Sequence, residues 1–218
     1  MSAQTALGIL GGTFDPIHHG HLRLAIEARQ RLSLDAIRLI PAGQPPHRAR
    51  PGTPAAHRLA MTELAAQGLP GLVVDPAEVH SQQTSYTVAT LERLRAELGN
   101  ERPLVLILGA DAFLGLPGWH RWREIFALAH IAVATRPGYV LADALNGGDL
   151  ADECPQRLSQ NPQSLHATPS GSIVPFTIPS LEISATLIRH ALAQGEDAHF
   201  LLPGAVLDYI QSHHLYSR

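Results

Sequence analysis

The sequence predicts an α/β protein with a doubly wound parallel sheet that carries helices on both faces. Short apolar runs typical of buried strands alternate with longer segments whose apolar residues recur at helical spacing. The alternation continues to the last predicted helix, and no segment repeats another. With 218 residues, 45% of them hydrophobic and 16% charged, residues 1–218 are expected to form a single domain.

Six strands are predicted from runs rich in Leu, Ile and Val. The first ends at the pair Gly11-Gly12, and the fourth is the run LVLIL. The predicted strands are Ala6–Leu10, Ala36–Ile40, Leu72–Val74, Leu104–Leu108, Ile131–Thr135 and Ile173–Ile178. Because ligands of such sheets bind beyond the carboxyl ends of the strands, the loops after the first and fourth strands are the expected location of a site.

The helices are predicted from apolar periodicity together with capping residues. Thr53, Ser85 and Ser184 are each expected to cap a helix, and Gly99 and Gly195 are expected to end one. The predicted helices are 21–32, 54–67, 86–98, a short one within 119–129, 184–194 and 204–213.

Composition restricts the classes of function. The net charge of −3 provides no broad cationic surface, so neither nucleic acid nor a membrane is expected as a partner. All 16 basic residues are arginine, so an anion would be bound by arginine, histidine and backbone N–H groups.

The single cysteine excludes a disulfide framework, and the absence of a leader or a spanning run predicts a cytoplasmic protein. Residues 146–169, rich in Pro, Gln, Ser and Asn, are expected to be an irregular surface excursion.

The loop after the first strand, GGTFDPIHHGH, has the most distinctive chemistry. It is neither a G-x-G-x-x-G loop nor a Walker A loop, which excludes those two phosphate cradles. The helix that begins near Gly20 would present its first N–H groups to an anion. His18 and His21, three residues apart at this helix start, could both donate hydrogen bonds to the same phosphate. The alternatives for these two residues are a purely structural role and a zinc-binding pair. His19, which lies between them, is expected to face away from the phosphate.

This loop resembles the first signature, His-x-Gly-His, of the adenylyl- and cytidylyltransferase superfamily. The second signature of that superfamily, commonly ISSTxIR, is resembled by ISATLIR at Ile183–Arg189, with Ala185 in place of the second serine. The resemblance covers essentially the whole chain and is strongest to the bacterial branch that adenylates nicotinate mononucleotide. It implies a Rossmann-like fold and a catalytic role for His18 and His21.

The resemblance also implies two sets of binding residues. The set for ATP is Gly11, Gly12, Thr13, Phe14, His18, His21, Gly109, Asp111, Ile183, Ser184, Thr186 and Arg189. The set for the acceptor is Asp15, His47, Arg48, Thr87, Trp119, His120 and Arg136. Within the acceptor set, Trp119 would stack on the pyridine ring, while Thr87 and His120 would present backbone N–H groups to its carboxylate. No protein metal site is implied, and Mg²⁺ is expected on the phosphates of ATP.

Several of these positions have structural alternatives when only the residues are considered. Asp111 could cap a helix, Thr87 could be helix surface, and Trp119 could belong to the core, as Trp122 is expected to do. The implied function is AMP transfer from ATP to nicotinate mononucleotide in NAD biosynthesis. The alternatives are another adenylyltransferase, with phosphopantetheine or nicotinamide mononucleotide as acceptor, and a non-catalytic nucleotide-binding protein. A homo-oligomer is left open.

Overall fold

The computed structural model describes residues 5–46, 52–141, 147–179 and 181–217. Six strands within these ranges form one sheet in the order β3-β2-β1-β4-β5-β6. The strands are β1 Leu7–Gly12, β2 Ile37–Pro41, β3 Leu72–Val74, β4 Leu104–Gly109, β5 His130–Thr135 and β6 Ile173–Thr177. This order reverses direction at β1, as in a doubly wound Rossmann-like sheet, and it confirms the predicted α/β fold class.

Parallel pairing joins β1 to β4, β4 to β5 and β5 to β6. In this register Leu7 is opposite Leu104, and Ile131 is opposite Ile173. Every residue of β5 is buried, and so are the first five of β4. Strands that are covered on both faces carry apolar residues on both faces, so in the sequence they are unbroken apolar runs.

Helices occupy the connections between the strands. They are α1 His19–Arg31, α2 Ala55–Ala66, α3 Ala77–His80, α4 Thr87–Leu98, α5 Ala110–Leu114, α6 Ile125–Leu128, α7 Asp149–Glu153, α8 Ser164–Ala167, α9 Ala185–Ala193 and α10 Gly204–Ser212, with 3-10 turns at Leu116–Gly118, Trp122–Glu124 and Pro155–Arg157. None of the helices in the described ranges is long and apolar enough to cross a membrane.

Two of the predicted helix caps are wrong. The N-cap of α2 is Pro54, without a side-chain hydrogen bond, and the predicted cap Thr53 lies one residue earlier. Ser85 does not cap α4 either, because its Oγ accepts the backbone N–H groups of Gly43 and Gln44 at 3.0 and 3.1 Å. For Ser85, partners distant in sequence determine what the residue does.

The segment expected to be irregular contains short helices, α7 and α8. Leu150, Leu165 and Cys154 are buried there, so it contributes to the core. Burial raises the pKa of the Cys154 thiol to about 11. The polar, Pro-rich composition of residues 146–169 did not predict this buried part, because the buried residues are few and the helices are too short to show a helical period.

The described residues group into two compact units. The first unit comprises the described residues of 1–10, 27–38 and 86–180, which include β4, β5 and β6. The second unit comprises those of 11–26, 39–85 and 181–218, which include the loop after β1 and the helices α2, α9 and α10.

Candidate active site

The loop after β1 turns sharply at Phe14. This residue has a positive φ of 48°, is buried, and meets the ring of His21 edge-on with centroids 5.0 Å apart. A Cβ on Gly12 would lie 2.6 Å from Phe14 Cε1. Gly12 is therefore needed so that the Phe14 ring can fold back against the end of the strand.

His18 and His21 are brought together at the start of α1. Their rings stack with centroids 3.7 Å apart, and the backbone N–H of His18 donates to His21 Nδ1 at 3.3 Å. Because Nδ1 of His21 accepts, the neutral His21 ring carries its proton on Nε2 and can donate from that atom. A Cβ on Gly20 would lie 3.0 Å from His18 Nδ1, so this glycine lets the His18 ring lie against the helix start.

Both histidines are neutral at physiological pH. Burial, with a smaller effect of His19, lowers the pKa of His18 to about 4. Burial, with a smaller effect of His18, lowers the pKa of His21 to about 3. The Nδ1 atom of His18 is buried and has no hydrogen-bond partner among the described residues. A buried polar atom without a partner is uncommon in folded proteins, and at this position it indicates a ligand-binding role. His19, by contrast, is half-buried and lies in the first turn of α1.

The second motif folds against this loop. Ser184 caps α9, accepting the N–H of Leu187 at 3.1 Å, which confirms its predicted role as a cap. The carbonyl of Ile183 lies 3.5 Å from where a Cβ on Gly20 would be. Two segments that are far apart in sequence are thus in contact within the second unit.

Arg189 links the two motifs directly. Its Nη1 donates to the carbonyl of Asp15 at 2.7 Å, and its Nη2 donates to Thr186 Oγ1 at 3.3 Å. The predicted ATP ligands Arg189 and Thr186 are therefore hydrogen-bonded to each other, and Arg189 also holds the loop that leads to His18. Asp15, predicted to bind the acceptor, is itself buried.

Arg58 supports the same loop from α2, and the sequence analysis missed it. It is only 1% exposed and donates to the carbonyls of Thr13 at 2.6 Å, Gly43 at 3.1 Å and Thr53 at 3.3 Å. Burial lowers the pKa of its guanidinium, and the nearby Asp15 opposes that shift. The available signal was its position in α2, on the same helical face as the buried residues Met61, Thr62 and Ala65.

A cavity of about 430 Å³ opens beside Arg58 in the second unit. This volume is in the range of small-molecule sites, so the unit has room for part of a nucleotide. The lining residues are Gly43, Gln44, Pro45, Pro46, Thr53, Pro54, Ala55, Arg58 and Thr84.

The first unit holds the remaining predicted ATP ligands at the end of β4. Gly109 is the N-cap of α5 and Asp111 is its second residue, with an exposed side chain. Asp111 is thus not a helix cap, and that structural alternative is wrong. Trp119 follows a 3-10 turn and is half-buried, whereas Trp122 is buried with its ring 6.1 Å from that of Phe126, which confirms Trp122 as core.

Predicted acceptor residues also lie in the first unit. Thr87 is the first residue of α4, and Arg136 is exposed directly after β5. His120 is exposed, and its ring lies 4.4 Å from that of Tyr86, a residue that sequence reasoning missed. His47 and Arg48, predicted to bind the acceptor phosphate, lie outside the described residues.

A family model described as cytidylyltransferase-like matches residues 9–191. The chain belongs to this family. The match begins within β1 and ends within α9, so the cytidylyltransferase-like region contains both the loop of His18 and His21 and the helix capped by Ser184.

The sequence relatives, and one solved structure of similar fold, are named for a single activity within this family. A protein of Dechloromonas aromatica is 53% identical over 210 residues, covering 96% of this chain and 97% of its own length; its name is "Probable nicotinate-nucleotide adenylyltransferase". A Pseudomonas putida protein with the same name is 47% identical over 214 residues, 98% of this chain and 96% of the relative. The fold is similar to that of Plasmodium falciparum nicotinic acid mononucleotide adenylyltransferase complexed with NaAD, with a TM-score of 0.70, 16% identity and 98% coverage of both chains.

Proposed function

We propose that this chain transfers AMP from ATP to nicotinate mononucleotide, forming nicotinate adenine dinucleotide and releasing pyrophosphate in NAD biosynthesis. The observation that carries the proposal is the stacked pair of His18 and His21 at the start of α1, in a loop that Arg189 of the second motif binds through the carbonyl of Asp15. The acceptor is assigned from relatives that match nearly end to end and are named for this activity.

The reaction is an in-line displacement at phosphorus. An oxygen of the acceptor 5′-phosphate forms a bond to the α-phosphorus of ATP while the bond from that phosphorus to the β-phosphate bridging oxygen breaks, and pyrophosphate leaves with the electron pair. The nucleophile is already an anion, so no base is required. Catalysis then consists of positioning the reactants and stabilising the charge that develops on phosphoryl oxygens.

The two histidines supply hydrogen bonds to that charge. His21 donates from Nε2, because its Nδ1 is occupied by the N–H of His18. The low pKa of both rings means that they enter the reaction neutral, and a bound polyphosphate would stabilise the protonated form of either ring. The first N–H groups of α1 add the positive end of the helix dipole.

The phosphates of ATP are bound by the two motifs of the second unit. We assign the leaving pyrophosphate to Arg189, Ser184, Thr186 and the N-terminal amides of α9. Mg²⁺ accompanies ATP in this proposal and neutralises phosphate charge. The described residues include no group of three or more His, Cys, Asp or Glu side chains able to hold a metal, so the ligands proposed for Mg²⁺ are phosphate oxygens and water.

The ribose and pyridine contacts of the proposal are those that the family resemblance implies. Gly109 and Asp111 bind the adenylate ribose, and Trp119 stacks on the pyridine ring. The backbone N–H groups of Thr87 and His120 bind the pyridine carboxylate. A carboxylate accepts at both oxygens, whereas a carboxamide turns its NH₂ toward one of these donors and leaves a buried N–H unpaired, at a cost of about 1–3 kcal/mol per group.

The test compares acceptors in the presence of MgATP, with pyrophosphate release and the dinucleotide product as readouts. We expect nicotinate mononucleotide to be preferred over nicotinamide mononucleotide by at least about 10²-fold in kcat/KM, since about 1.4 kcal/mol corresponds to a factor of ten. Comparable efficiencies would disprove the backbone-donor arrangement. Turnover with phosphopantetheine alone would identify another branch of the family, and no turnover with any acceptor would identify a non-catalytic nucleotide-binding protein.

A further inference from the structure

The chain's C-terminal residues return to the loop after β1. Beyond the end of α10, the hydroxyl of Tyr216 donates to Asp15 Oδ1 at 2.6 Å. The side chain of Thr53 also hydrogen-bonds to that hydroxyl. Tyr216, Asp15 and Thr53 all belong to the second unit, and Tyr216 is half-buried.

Asp15 is held through both its backbone and its side chain. Arg189 binds its carbonyl at 2.7 Å, and Tyr216 binds its carboxylate, which lies in a residue only 7% exposed. Asp15 precedes His18 by three residues in a loop that already turns at the positive φ of Phe14. A change in the position of Asp15 therefore shifts the segment that leads into His18.

We propose that Tyr216 is a positioning residue for the adenylyl-transfer reaction: its hydroxyl fixes the carboxylate of Asp15 and, through it, the loop that carries His18. This inference rests on the proposed function. It gives the end of the chain a role that neither motif of the family contains.

The chemistry of the tyrosine suits this role. Burial raises the pKa of Tyr216 above its usual range, and the hydrogen bond to Asp15 raises it further. The hydroxyl therefore remains protonated and acts as a donor to the carboxylate throughout the neutral range. A hydrogen bond to a charged acceptor that is removed from water is among the stronger single interactions in a protein.

The experiment compares Tyr216→Phe with Tyr209→Phe in the full-length chain. Tyr209 is a matched control, because it lies in the adjacent helix α10 and its hydroxyl makes a similar hydrogen bond, 2.9 Å from His57 Nδ1. Hydrogen exchange of peptides covering residues 13–18 reports on the loop, and steady-state kinetics report on the reaction.

Tyr216→Phe is expected to speed exchange in residues 13–18 and to lower kcat/KM for the acceptor about tenfold, the loss expected for one hydrogen bond to a charged group. The KM for ATP is expected to change by less than about twofold, because the contact of His18 strengthens only as charge develops in the transition state. Tyr209→Phe is expected to change neither exchange in the loop nor kcat/KM. Combining Tyr216→Phe with Asp15→Ala should cost little more than Asp15→Ala alone, because both changes remove the same bond.

Three results would overturn the inference: unchanged exchange in residues 13–18, faster exchange with unchanged kinetics, or additive effects of Tyr216→Phe and Asp15→Ala. The second would mean that the bond only stabilises the fold, and the third that Tyr216 does not act through Asp15. Failure of the proposed function looks different, because the parent chain itself would then form no dinucleotide.

Discussion

Both compact units bury an arginine whose hydrogen-bond partners are backbone carbonyls, but at different ends of the strands. In the first unit, Arg95 bonds the carbonyls of Arg102, Leu128 and Pro169, at 2.6–2.8 Å, and these residues precede β4, β5 and β6 respectively. In the second unit, Arg58 bonds the carbonyls of Thr13 and Gly43, which follow β1 and β2. Similar chemistry therefore fixes strand entries in one unit and strand exits in the other.

The difference matters because ligands of doubly wound sheets bind beyond the carboxyl ends of the strands. The loops that Arg58 joins contain residues predicted to bind a ligand, among them Thr13 itself. The turns that Arg95 joins carry none of the predicted site residues. A buried, carbonyl-bound arginine thus holds loops together in both units, and we expect its effect on function to depend on the edge of the sheet at which it lies.

Buried histidines show the same contrast. In the first unit, His130 has both ring nitrogens satisfied: Nε2 donates to the Thr168 carbonyl at 2.7 Å, and Nδ1 accepts the N–H of Ser172 at 3.0 Å. In the second unit, Nδ1 of the buried His18 has no partner among the described residues. Both histidines are buried, so it is the hydrogen-bonding of their ring nitrogens, and not burial, that distinguishes them.

The largest expected effect tests this contrast between histidines. His18→Ala should lower kcat about 10²–10³-fold, because its contact strengthens as charge develops in the transition state. Steady-state kinetics with saturating MgATP and nicotinate mononucleotide measure it. His130→Ala should lower the free energy of unfolding while the folded protein keeps its kcat, and His19→Ala should be nearly silent. If His18→Ala kept turnover within a few-fold of the parent, the assignment of the first motif would be wrong.

A smaller effect is expected for the arginines. Arg58→Met and Arg95→Met each leave buried carbonyls without a charged donor, so each should lower the free energy of unfolding by about 3 kcal/mol. Only Arg58→Met should also lower kcat/KM, about tenfold or more, when assayed well below its melting temperature. Denaturant unfolding and kinetics on the same samples separate the two effects. Equal kinetic losses in both variants would show that the position at the strand exits has no special importance.

If Arg58→Met does not fold, Arg58→Lys replaces it. Lysine keeps the charge but lacks the planar fork that reaches three carbonyls, so an intermediate loss of kcat/KM is expected.

The smallest kinetic effect is expected at Trp119, which we compare with Trp122 of the same unit. Trp119→Ala should raise the KM for the acceptor about tenfold and leave that for ATP unchanged, because a stacked ring contributes about 1–3 kcal/mol. Trp122→Ala should instead lower the free energy of unfolding by about 3–5 kcal/mol, as expected for a buried aromatic residue. Equal rises in both KM values for Trp119→Ala would make it a second core residue, and the difference between the two tryptophans would disappear.

Sequence patterns predicted most of the fold because local signals and tertiary structure agree there. The strand β3 at Leu72–Val74 was predicted with the same bounds, and the cap at Ser184 was predicted correctly. The short helices α3 and α5 were missed because four or five residues are too few to show a helical period. The bounds of α2 and α4 are nearly as predicted, although the caps expected for them, Thr53 and Ser85, are not used as caps.

The candidate site was predicted as two motifs but not as a network. His18 and Arg189 are recognisable because each lies in a short pattern with its own chemistry. Arg58 and Tyr216 are not, because an arginine on a helix and a tyrosine near a chain end are ordinary surface residues until their distant partners are known. Arg58 and Thr13 are separated by 45 positions in sequence, and Tyr216 and Asp15 by 201, distances that local patterns do not span.

Because Cys154 is buried and unreactive, the chain is suitable for site-specific labelling at an introduced cysteine. Cys154 is the single cysteine of the sequence, it is fully buried, and its pKa of about 11 leaves almost no thiolate at neutral pH. The native protein should therefore resist thiol reagents, and the rate at which Cys154 becomes modified reports how often the first unit opens. The sequence also lacks lysine. A cysteine introduced in place of Phe200, which is 91% exposed, would therefore react rapidly and selectively with a thiol-directed fluorophore.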